Sequence, residues 1–151
     1  MCPELSHIFD IEAIVAPTRD LGATPHGRRR IVPILGGTVR GPRLEAEILP
    51  GGADWQYVRI DGVVELVARY SIRTSDGVEI AVVNRGLRRA APEVMERMAR
   101  GEAVDPALVY CRTTPLFEAP AGHYEWLNRS VFIGNAERRP DKVMIGVYEV
   151  L

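Results

Sequence analysis

Two carboxylates in this 151-residue chain stand where a turn would present them beside aromatic rings. Asp54 follows Pro50-Gly51-Gly52-Ala53 and precedes Trp55, and Glu118 follows Phe117 in a segment led by Pro115. A carboxyl group against an aromatic ring in a dry pocket has its pKa raised toward neutrality, which suits general acid–base work. Asp54 and Glu118 are therefore the candidate catalytic residues. Each also has a plainer reading: a turn aspartate often caps its own backbone, and a glutamate in a barrel often pairs with an arginine.

Arg69 and Arg112 are the candidate anchors for a carboxylate or an enolate-like oxygen, because the planar guanidinium fork donates two parallel hydrogen bonds. Trp55, Tyr124 and Trp126 offer aromatic walls, and Asn84 and Asn128 offer amides. Aromatic surface with a few placed polar groups is the composition of a small-molecule pocket. His7, His26 and His123 are isolated, and neither Cys2 nor Cys111 has a CxxC or Cys/His neighbourhood, so no metal and no cofactor is expected. Gly36-Gly37 and Gly51-Gly52 do not open helices and read as strand bends or bulges, not phosphate cradles. No serine carries the flanking glycines of a nucleophile elbow.

The elements that must position these residues are short extended runs separated by Gly, Pro and Asp. Strands are expected over 8–15, 28–34, 44–49, 54–60, 63–74, 78–84, 107–113, 124–127, 131–134 and 143–150, with turn segments between them. Asp61-Gly62 and Asp76-Gly77, each between apolar runs, predict hairpins, since the glycine takes the positive φ that such turns need. One segment differs. Ala91 to Arg100 has Pro92 near its start, Val94 and Met98 four apart, and Gly101 to stop it, which predicts one short helix. Eight to ten strands with one helix predict an all-β, mainly antiparallel fold, a single closed or nearly closed β-barrel spanning 1–151 as one domain.

Alternation sorts each strand into two faces but leaves the inward one open. Over 63–74, Val64, Leu66, Ala68, Tyr70 and Ile72 form an apolar face, while Glu65, Val67, Arg69, Ser71 and Arg73 form a polar one. The apolar face is inward if water bathes the outside. The polar face lines the lumen if the helix, loops or a second subunit cover the outside. The same choice recurs for Tyr110, Arg112 and Thr114 against Val109, Cys111 and Thr113.

Composition excludes several classes of function. With 19 basic and 20 acidic residues the net charge is -1, so no nucleic-acid partner is expected, and Arg28-Arg29-Arg30 reads as edge protection entering a strand. No apolar run is long enough to span a bilayer as a helix, and residues 1–10 lack the order of a signal peptide, so no membrane partner is expected. Two unpaired cysteines fit a reduced, cytoplasmic protein.

Certain blocks are distinctive: Pro50-Gly51-Gly52-Ala53-Asp54-Trp55, Asn84-Arg85-Gly86, Arg112-Thr113 with Phe117-Glu118, and Tyr124-Glu125-Trp126-Leu127-Asn128. On these blocks the chain closely resembles, over nearly its whole length, a bacterial and fungal family known as domain of unknown function 3237, or uncharacterised protein family 0311. The resemblance implies a compact β-barrel and supplies no catalytic residues. Three functions are carried forward. The first is a metal-free isomerase, cyclase or lyase acting on a carbonyl or carboxylate compound. The second is a barrel that binds a small molecule of unknown identity without transforming it. The third is a structural protein, and a homo-oligomer is expected because small β-proteins protect strand edges that way.

Overall fold

Residues 1–151 are described by a computed structural model. Ten strands carry the chain: β1 (Leu5–Val15), β2 (Arg19–Thr24), β3 (Gly27–Arg40), β4 (Glu45–Ile48), β5 (Gly52–Val58), β6 (Val64–Thr74), β7 (Glu79–Ala90), β8 (Val109–Glu118), β9 (Phe132–Arg138) and β10 (Lys142–Val150). One helix, α1 (Pro92–Ala99), follows β7, and short 3-10 turns span Pro106–Leu108 and Glu125–Asn128. No helix is long and apolar enough to cross a membrane.

Eight strands close the barrel in the order β1-β3-β5-β6-β7-β8-β9-β10, with β10 returning to β1 and every neighbour antiparallel. The long β3 makes closure possible. Its first half pairs β2 on one edge and β5 on the other, and its second half pairs β1 and β4. β4 and β5 thus share the place between β3 and β6, separated by the turn at Pro50-Gly51. The Gly36-Gly37 bend has a physical cause. Gly37 takes φ 137, and a Cβ there would collide with the Glu12 carbonyl, so only glycine lets β1 and β3 meet at this point. Both Asp-Gly pairs form the expected hairpin turns, with Gly62 at φ 85 and Gly77 at φ 88.

Several elements differ from the sequence expectation. The segment 124–127, expected as a strand, is a 3-10 turn over Glu125–Asn128. Pro115 does not lead a turn but continues β8, because β9 pairs β8 only at Arg112 and Thr113 and leaves the ladder free where the proline lacks its N–H. β7 runs past Gly86 to Ala90, and β2 falls in a stretch read as loop.

Tertiary closure settles which faces point inward. The inner row of β6 is Val64, Leu66, Ala68, Tyr70 and Ile72, and that of β8 is Cys111, Thr113, Pro115 and Phe117. One end of the lumen is packed solid. Phe117 stands edge-to-face between Phe9 and Phe132, at ring-centroid distances of 5.6 and 5.3 Å, and the Glu125–Asn128 turn seals that end with Leu127. Phe9 is fully buried there. Phe9→Ala is expected to cost about 3–5 kcal/mol, read as a lower urea midpoint at unchanged m-value. A loss under about 1 kcal/mol, the scale of an exposed-site change, would show that this end is not the packing centre.

Candidate functional site

Asp54 begins the site because the Pro50-Gly51 turn delivers it to β5 on an inward position. In the sheet it lies in a row with Val32, Ala68, Asn84 and Pro115 on successive strands. The next row holds Gln56, Leu66, Gly86, Thr113 and Gly134, and the row beyond has Val64, Arg88 and Cys111. The small members make room. A Cβ at Gly134 would strike the Thr113 hydroxyl, and one at Gly86 would strike the Arg112 carbonyl and Thr113.

Between these rows lies a cavity of about 60 Å3, lined by Asp54, Gln56, Tyr70, Asn84, Arg88, Cys111, Thr113 and Arg138 among aliphatic side chains of β1, β3, β6, β9 and β10. At ~15 Å3 per site, that is room for a few water-sized groups. It opens to a mouth of about 270 Å3 that shares Val32, Gln56, Arg88 and Arg138 with it and adds Thr18, Asp20, Arg30, Met95, Met98 and Ala99. Helix α1 therefore roofs the open end of the barrel, opposite the aromatic plug.

The polar groups of the cavity are unevenly satisfied. Asp54 accepts hydrogen bonds from Gln56 Nε2 at 2.7 Å and from the Val67 backbone N–H at 3.1 Å. Four buried side-chain atoms find no partner in the protein: Tyr70 Oη, Asn84 Oδ1, Arg88 Nε and Thr113 Oγ1. All four belong to residues lining this cavity. Unpartnered buried polar atoms each carry a desolvation cost, so their gathering in one place marks a site and not scattered packing flaws.

Burial dominates the electrostatics. It raises the Asp54 pKa against the opposing pull of the Gln56 bond and the Arg88 charge, and so favours the protonated carboxyl. It pushes the Tyr70 hydroxyl and the Cys111 thiol up. It lowers Arg88 and Arg138, and the guanidinium of Arg88 adds to the effect on Arg138.

Of the residues singled out from sequence, Asp54 and Asn84 line the cavity. The others lie elsewhere. Glu118, Arg69 and Arg112 are on outward, exposed positions of β8 and β6, and Arg112 donates to Asn135 Oδ1 at 2.7 Å. The proposed arginine anchor at these two positions thus faces solvent, since closure puts the apolar face of each strand inside. Trp55 is also outward, under the Arg29 guanidinium at 5.1 Å. Tyr124 is buried at the sealed end and donates to Asp76 Oδ1 at 2.7 Å. Trp126 lies under Arg43, and Asn128 braces the end of β8 by bonding both the N–H and the C=O of Ala119 at 2.8 Å.

Sequence reasoning missed Gln56, Tyr70, Arg88, Thr113 and Arg138 as cavity residues. For Arg88 a signal existed: Ile80 and Val82 mark the apolar face of β7, and period two carries that face through Asn84 to Arg88. For both arginines the expected strand stopped short, at Asn84 for β7 and at Gly134 for β9, so neither was read as facing inward.

Comparison with known proteins follows the same outline. The profile of the DUF3237 family, described as protein of unknown function, matches residues 3–150. A UPF0311 protein of Rhodopseudomonas palustris is 41% identical over 148 residues, covering 98% of this chain and 97% of that one. A crystal structure of a conserved protein of unknown function from the same species superposes with a TM-score of 0.97 at 40% identity, over 100% of this chain and 99% of the other. A β-barrel-like protein of Acinetobacter baumannii gives a TM-score of 0.86 at 35% identity, over 100% and 98%. The structure of an enzyme from Penicillium herquei shares the fold, with a TM-score of 0.74 at 19% identity over 100% and 96%.

The raised Asp54 pKa has a consequence for folding. Below the ordinary carboxyl value of about 3.9 both folded and unfolded chains hold the proton, and the stability this confers is lost as pH climbs through the raised folded value. Asp54→Asn removes that loss. As pH rises above about 4 the variant should gain stability relative to the parent, measured as the difference in urea midpoints. A variant that instead falls behind the parent with rising pH would mean that Asp54 is held as a carboxylate.

Proposed function

This chain belongs to the DUF3237 protein family, and we propose that its barrel is an enzyme that shifts a proton on a small carbonyl compound held in the lumen. The observation that carries the reading is the convergence of four unpartnered polar atoms and one carboxyl with a raised pKa on a single cavity. Tyr70, Thr113 and Arg88 can each donate a hydrogen bond to a carbonyl oxygen, and Asn84 Oδ1 can accept one from a hydroxyl or amide of the same ligand.

In the reaction, Asp54 as carboxylate takes a proton from the carbon next to the carbonyl, and the C–H electron pair moves into the carbonyl as its oxygen becomes negative. Donors already aimed at that oxygen stabilise it without reorganising. The Asp54 carboxyl then returns the proton at another atom, which completes an isomerisation with no net redox change. A carboxyl whose pKa lies above its ordinary value is suited to both halves of this exchange. The Penicillium herquei neighbour is described as an enzyme, which is compatible with catalysis on such a barrel.

A cytoplasmic location belongs to the same proposal, supported by two free thiols. Homo-oligomerisation is proposed as well, supported by the exposed apolar side chains of Trp55, Leu87, Tyr110 and Leu116 on the outside of β5, β7 and β8. Light scattering should then give a mass of two or more chains, and a monomer at working concentration would reject it.

The chemistry is tested by incubating the protein in D2O with a panel of enolisable ketones and keto acids and reading deuterium uptake by mass spectrometry. The parent should label at least one compound, and Asp54→Asn should slow that labelling by about 10²–10⁴-fold. Equal labelling by both proteins would remove Asp54 from the reaction. Binding without labelling would leave a carrier and overturn the enzyme reading.

A further inference from the structure

Three guanidinium groups meet under helix α1. Arg88 from β7, Arg138 from β9 and Arg30 from β3 all line the mouth of the cavity. Arg88 is only 9% exposed, and its Nε has no partner. None of the three enters an ion pair anywhere in the chain.

Three carboxylates lie near, Asp20, Asp54 and Asp141, and none comes within ion-pair distance of Arg30, Arg88 or Arg138. Asp20, at the same mouth, accepts from Arg28 Nε at 2.7 Å and from the Gly22 N–H at 2.8 Å. Asp54 is held by Gln56 and Val67, and burial favours its neutral form. Gathering three like charges with so little compensation is costly, and an anion that enters the site relieves that cost. Met95 and Met98 of α1 line the same mouth with apolar surface.

We infer that the mouth is a carboxylate-binding site, so that the barrel's ligand is an organic acid whose carboxylate sits among Arg30, Arg88 and Arg138 while its apolar body enters the lumen. A flat two-oxygen group matches the guanidinium fork, and the narrow cavity beyond it is walled by Ala13, Val15, Ala68 and Val143. The inference takes from the proposed function only that the lumen is the ligand site. It adds the ligand's charge and its direction of entry, acid group outward and reacting carbon inward toward Asp54.

Calorimetric titration tests this with benzoate, the isosteric benzamide and inorganic phosphate. The parent should bind benzoate at least about tenfold more tightly than benzamide, the scale of one charge-assisted hydrogen bond. Arg138→Met combined with Arg30→Met should bring the two within about twofold on that same scale, and Arg138→Lys should restore part of the preference by restoring the charge. Near-UV circular dichroism confirms that each variant is folded. Asp54→Asn should keep the benzoate preference even as it loses proton exchange, so the two ideas fail separately. A parent without preference for benzoate, whether both compounds bind or neither does, overturns the inference. Phosphate binding more tightly than benzoate overturns the carboxylate assignment as well.

Discussion

The pairing of β1 with β3 closes the sheet on itself, and that closure governs everything inside. In a closed barrel each strand has one inner face and no second layer to turn to, so a polar side chain on that face has only other inner side chains, or an occupant, as partners. Where the inner rows carry Phe9, Phe117, Phe132 and Leu127, the lumen is filled and dry. Where they carry Ala13, Ala68, Gly86 and Gly134, the side chains are too small to meet across the barrel, and space remains. The cavity is the result of this gradient in side-chain volume from one end to the other.

Charge follows the same gradient. The filled end holds no charged side chain in its buried core, and its deep hydroxyls, on Tyr124 and Thr74, both donate to Asp76. The open end concentrates Asp54, Arg30, Arg88 and Arg138 around a small volume. Burial there works against three of these groups, raising Asp54 and lowering Arg88 and Arg138. A carboxyl held above its ordinary pKa beside cations is an unusual arrangement. It arises here because desolvation of the carboxylate outweighs the attraction of guanidinium groups that do not touch it.

The two most distinctive sequence blocks serve opposite ends of this arrangement. Pro50-Gly51-Gly52-Ala53-Asp54-Trp55 turns the chain from β4 into β5 and sets Asp54 inward with Trp55 outward. Tyr124-Glu125-Trp126-Leu127-Asn128 forms the plug, with Leu127 buried and Asn128 tying the plug to Ala119. One block sets the Asp54 carboxyl in the cavity and the other shuts the opposite end of the lumen.

The fold class was legible in the chain because period-two alternation, Asp-Gly turns and a single Pro-led helix are local signals, each written within about ten residues. Asp54 was legible for the same reason, since its turn is local. The strand between Gly86 and Ala90, the extended Pro115 and the 3-10 turn at Glu125–Asn128 were not, because neighbouring strands and the barrel end decide them. The inner face was the larger loss. Arg69 and Arg112 have the chemistry of a ligand anchor and face outward, while Arg88 and Arg138 have the same chemistry and face the cavity. Alternation distinguishes the two faces of a strand but contains no statement of which side the sheet will curl toward. That direction is set by closure between β1 and β3, a contact between residues far apart in sequence, and with it the opening expectation of a carboxyl in a dry pocket came to rest on Asp54 and not on Glu118.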